Sequence, residues 1–167
     1  MQLSEQTVSV LKNFATINSN VVFKPGQVLK TLSESKTIMA SAQITEDFEN
    51  EFGIYDLNEF LSIYSLIDNP TLDLNDSYLW IKGDGQKVKY FYSSMEILTQ
   101  PTKDIQMPDC EVTFQLTNDQ INQLKRASSV LGHDQLAVSG IGGTVSVRVY
   151  DEKDSTSNAY YIEIDND

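Results

Sequence analysis

Three sets of side chains in this sequence could carry chemistry. Cys110 and His133 are the one thiol and the one imidazole of the chain, the pair that a thiolate nucleophile and its base would need. Glu46, Asp47, Glu49 and Glu51 crowd together and could supply paired carboxylates for acid–base or metal chemistry. Lys125 and Arg126 are the only adjacent basic residues in a chain of formal net charge −12, and such a pair suits phosphate groups.

The first two sets lack the company that catalysis requires. Cys110 and His133 belong to different segments with no third orienting residue, and one Cys with one His is too few ligands for structural zinc. The acidic run reads more simply as a solvated turn leading into a strand. "SGIGGTVSV", residues 139–147, is flanked by strands, whereas a phosphate cradle needs a helix directly after the glycines, and no Walker-type lysine follows. Trp80, Tyr90, Phe91 and Tyr92 could stack bases, yet in alternating strands they read as core and sheet-face packing. The residues therefore predict no enzyme, no metal site and no cofactor.

The basic pair gains meaning from the element that carries it. "TNDQINQLKRASSVLG", residues 117–132, opens with the capping-box spacing of Thr117 and Gln120 and places Ile121, Leu124, Ala127 and Ser128 on one helical face. The same set occurs twice more without gaps. Val8, Leu11, Phe14 and Ala15 follow a cap at Ser4; Phe60, Ile63, Leu66 and Ile67 follow one at Asp56. The shift is 52 positions from Val8 to Phe60 and 61 from Phe60 to Ile121.

Each helix follows a short apolar segment, ending at Leu3, Tyr55 or Leu116, and precedes alternating β-type sequence broken by turn signals at Pro25-Gly26, Asp84-Gly85 and Gly140 to Gly143. The predicted unit is β-α-β-β-β, present three times. Between the second and third copies, residues 94–109 carry Pro101 and Pro108 without clean periodicity and read as a connector. The expected organisation is a first domain of two units over 1–93, the connector 94–109, and a second domain of one unit over 110–167.

A length of 167 residues, with 40% hydrophobic and 22% charged side chains, fits an ordinary folded protein. No run approaches the roughly 18 apolar residues that span a bilayer, and "MQLSEQTVSV" lacks a signal-peptide pattern, so an intracellular protein without membrane contact is expected. With 24 acidic against 12 basic residues, nucleic-acid contact is excluded unless the positive charge is gathered on one side. Lys12 recurs at the helical position of Lys125, and Arg126 lies nearly opposite the apolar stripe at about 100° per residue. These heads point away from the sheet on which the stripe packs.

Two of the repeated helices carry "VLKNFATIN", ending at Asn18, and "IYDLNEFLSIYSLI", residues 54–67. In these motifs the chain resembles the sliding clamps of T-even-type bacteriophages and their cyanophage relatives. The likeness extends by pattern over most of the chain, with three of the four units of a phage clamp subunit in evidence. It implies an α+β DNA-clamp fold with helices on one face of antiparallel sheet, and a non-enzymatic processivity factor in the cytoplasm of an infected bacterial host. It further implies a head-to-tail homotrimeric ring around duplex DNA without sequence preference, with the replicative polymerase and a clamp loader as partners. Lys12, Lys125 and Arg126 would then face DNA, and Ile97, Leu98, Ile105 and Met107 would help receive partner peptides or else anchor the connector to its own domain. A clamp-fold adaptor that binds proteins without encircling DNA is the alternative.

Overall fold

In the computed structural model, which describes residues 1–103, 106 and 108–164, every helix begins where its cap predicts. Helix α1 (Glu5–Ala15) starts at Ser4, whose side chain accepts from the Thr7 amide at 3.2 Å. Helix α2 (Leu57–Leu66) starts at Asp56, which accepts from the Glu59 amide at 2.9 Å. Helix α3 (Asn118–Leu131) carries the complete Thr117 and Gln120 capping box. It stops at Gly132, whose φ of 71° lies in the left-handed region that costs glycine no Cβ clash.

Three antiparallel strands follow each helix. After α1 come β1 (Val21–Phe23), β2 (Gly26–Leu32) and β3 (Met39–Phe48), and β4 (Phe52–Ile54) joins them in the order β3-β2-β1-β4. After α2 come β5 (Thr71–Leu74), β6 (Tyr78–Gly83) and β7 (Gln86–Phe91), in chain order. After α3 come β8 (Gln135–Ile141), β9 (Thr144–Tyr150) and β10 (Tyr160–Ile164), ordered β10-β9-β8. The tightest hairpins use two residues of positive φ, Asp84 (44°) with Gly85 (75°) and Gly142 (61°) with Gly143 (86°), which match the strand twist.

The expected leading strand forms only before α2, as β4. Met1 exchanges backbone hydrogen bonds with Leu72 at 2.6 Å, but no ladder extends from that single pair to Leu3. Val112, Phe114 and Leu116 alternate as a strand would and pack on the core beneath α3, yet no assigned strand is formed there. Alternation records which side chains are covered; a strand also needs a partner backbone.

The chain divides into two compact units, Met1–Asp104 and Ile105–Asp167. The boundary falls inside the expected connector because its first part belongs to the first unit. Ser93 donates its amide to Gly53 of β4 at 2.9 Å, a 3-10 turn spans Met95–Ile97, and Leu98 is buried. Gly53 makes room for this, since a Cβ there would stand 2.2 Å from Leu98 Cδ1.

The first unit's core gathers Leu11 and Phe14 from α1, Leu57, Phe60 and Leu61 from α2, and strand residues such as Phe23, Phe48 and Ile81. The register expected for α2 is turned on its axis. Leu66, aligned with Phe14, is 71% exposed, whereas Tyr64 is buried with its hydroxyl 3.0 Å from the Leu3 amide. The second unit has a smaller core of Leu124, Val145, Val147, Val149 and Ile164.

Candidate nucleic-acid interface

Lys12 lies on the exposed side of α1, between buried Leu11 and Phe14 in sequence. Lys125 and Arg126 are exposed on α3, flanking buried Leu124. The neighbours diverge: Lys125 borders a groove with Leu116, Ile121, Leu136 and Val149, while Arg126 borders a hollow with Val130 and Tyr160. About 100° of helical rotation separates consecutive residues, so adjacency in sequence becomes two sides of one helix. Among the described residues, no carboxylate forms an ion pair with these three cations.

At the matching position of α2 stands Tyr64. Its phenol is neutral where the other two helices present a lysine, and burial pushes the hydroxyl pKa further above the ordinary value of 10, outweighing the contact with Leu3. The middle helix thus contributes a buried anchor at the site where its counterparts offer charge.

The predicted peptide-binding set is divided. Leu98 is an anchor of the connector, Ile97 is 62% exposed, and Ile105 and Met107 lie outside the described residues. A hollow of about 330 Å³ instead runs between Val22, Val28 and Lys30 of the sheet and Gln100 to Lys103. Sequence reasoning passed over it because its walls come from segments some 75 positions apart.

The other candidates resolve into structural roles. The acidic run is divided: Glu46 and Asp47 are inside β3, whereas Glu49 and Glu51 stand in the exposed turn leading into β4, with Glu51 3.9 Å from Lys24. Glu46 reaches across to α1, where its carboxylate accepts from the Ser4 amide and the Thr7 hydroxyl and so caps the helix a second time. The His133 ring bonds with the Ser157 hydroxyl and the Asn158 carbonyl, both at 3.0 Å, while the Cys110 thiol sits 3.8 Å from the Pro108 carbonyl. Tyr90 and Tyr92 pack toward the core, whereas Trp80 and Phe91 are on the opposite face of their sheet.

Glu46 gives a pH test. Partial burial raises its pKa, but the bonds from Thr7 and Ser4 outweigh that and the net shift is below the ordinary value of 4.5. A depressed folded-state pKa adds stability above the unfolded value, and that stability is lost as pH falls through the folded one. The stability gap between the wild type and Glu46→Gln, read by urea unfolding, is expected to be widest near pH 6.5 and to close toward about pH 3. A gap independent of pH would remove the carboxylate from this role.

Residues 4–96, containing α1, α2 and the strands that follow them, match the DNA polymerase processivity factor family. The chain belongs to that family. It is 31% identical to the sliding clamp of Vibrio phage KVP40 over 170 residues, covering 98% of this chain and 77% of that protein. It is 30% identical to the sliding clamp of Escherichia phage RB69, covering 91% of this chain and 68% of that one. The fold is also that of the DNA polymerase III subunit beta of Pseudomonas aeruginosa, with a TM-score of 0.57 at 13% identity. That match covers 95% of this chain and 51% of the bacterial one, so this chain spans about half of the latter's length. The chain is a DNA polymerase processivity factor with the α+β clamp fold.

Proposed function

We propose that this processivity factor acts as a sliding clamp, encircling duplex DNA as a head-to-tail ring and tethering the replicative polymerase to its template. The family match over residues 4–96 carries this reading. In it, the exposed sides of α1 and α3 meet DNA through Lys12, Lys125 and Arg126, whose ammonium and guanidinium groups hold phosphates without reading bases. Such contacts are weak, which suits a ring kept on DNA by topology and free to slide.

The proposed assembly is a homotrimer, opened by a separate clamp loader, in the cytoplasm of the infected host, and its role is not enzymatic. No helix among the described residues is long and apolar enough to cross a membrane. The decisive experiment loads the protein onto nicked circular DNA and then linearises the circle. Retention on the circle and escape from the linear ends is the expected result. Equal retention on both, or a stable monomer by light scattering, would favour the adaptor reading.

A further inference from the structure

We propose that the outer face of the β5-β6-β7 sheet is a docking surface for a short acidic peptide in extended conformation. The face is set by register: Tyr78 pairs with Phe91, Trp80 with Lys89 and Lys82 with Lys87, so all six side chains share one side. Leu79, Ile81 and Tyr90 alternate with them and join the core on the other side.

The lysines are held on aromatic rings. Lys89 Nζ lies 3.8 Å from the centroid of Tyr78 and 4.8 Å from that of Phe91, and Lys87 Nζ lies 5.1 Å from that of Trp80. Lys82 has a carboxylate partner, Asp73, at 2.6 Å. Lys87 and Lys89 have none among the described residues, in a chain with 24 acidic and 12 basic side chains. Both are exposed, as is Phe91 at 64%. Asp73, opposite Trp80, shares this face but is engaged by Lys82. That leaves two positive heads without an ion-pair partner, fixed on rings beside an exposed phenyl group, as a surface complementary to negative charge with an apolar neighbour.

Spacing identifies the occupant. Alternate side chains of an extended peptide stand about 6.8 Å apart on one face, the interval that separates Lys87 from Lys89 along β7. Carboxylates at that interval meet both ammonium groups without displacing them from the rings. Bases would have to displace them in order to stack, and a polynucleotide running beyond the patch would meet a chain of net charge −12.

Trp80 is the chain's one tryptophan, so its fluorescence reports on this face. The probe is a peptide of about eight residues alternating glutamate with threonine and containing one phenylalanine. A saturable change in Trp80 emission is expected, weakening with added salt and by about fivefold or more in Lys87→Gln/Lys89→Gln. A matched peptide with glutamine for glutamate tests the unaltered chain and should bind at least as poorly. No saturable change, equal binding of the glutamine peptide, or displacement of the acidic peptide by oligothymidylate at lower concentration would each overturn the proposal. Because the assay needs no ring and no polymerase, its outcome is independent of the clamp reading.

Discussion

Phe60→Ala is expected to destabilise the first unit by about 3–5 kcal/mol and to lower its melting temperature by more than about 12 °C. Phe60 has no exposed surface, packs edge-on to Tyr90 at 5.6 Å and lies 6.3 Å from the Tyr64 ring. Removing the ring leaves a cavity bordered by residues of both α2 and the β5-β6-β7 sheet, which cannot all close inward together. Leu66→Ala on the same helix should change stability by only about 0.5 kcal/mol, because Leu66 is 71% exposed. Urea unfolding of the two variants measures the rotation of α2 directly. Comparable losses would restore the register in which Phe60 and Leu66 share the buried stripe.

That contrast marks what the sequence could convey. Local signals were legible: the caps at Ser4, Asp56 and Thr117, the Asp84-Gly85 turn and the strands after each helix are written in neighbouring residues. The rotation of α2 was not, because Leu57, Phe60, Leu61, Ile63, Leu66 and Ile67 make it apolar on nearly every side, and periodicity cannot choose among equivalent stripes. Tyr64 marks the orientation through its bond to Leu3, a residue 61 positions away. Glu46 was hidden for the same reason, since its partners Ser4 and Thr7 precede it by 42 and 39 positions.

The second unit teaches the converse. Leu136 and Val138 pair with Val149 and Val147, and so lie on the face of the sheet that α3 covers. Yet Leu136 is 52% and Val138 41% exposed, because α3 packs over β9 and β10. In the first unit, β1 has β4 along its far edge, and Phe23 of β1 stacks on Phe52 of β4 at 4.6 Å. Nothing among the described residues plays that part for β8. Alternation correctly named the inward residues of β8, while their burial depends on a neighbour that a pattern within one strand cannot supply.

The basic helix positions carry the second large prediction. Under the proposed DNA-facing role, reversing Lys12, Lys125 and Arg126 together to glutamate should lower clamp-dependent DNA synthesis on the order of tenfold near 0.15 M salt, because each phosphate contact so removed would take its share of counterion release with it. All three side chains are exposed, so unfolding curves should stay close to those of the wild type, separating lost contact from lost fold. Glutamine at the same positions should fall between, since it removes attraction without adding repulsion. Raising the salt screens both the wild-type attraction and the variant's repulsion, and the two should converge as ionic strength increases. Undiminished processivity in the glutamate variant would remove these residues from the DNA path, and a deficit that persists at high salt would assign them a packing role instead of an electrostatic one.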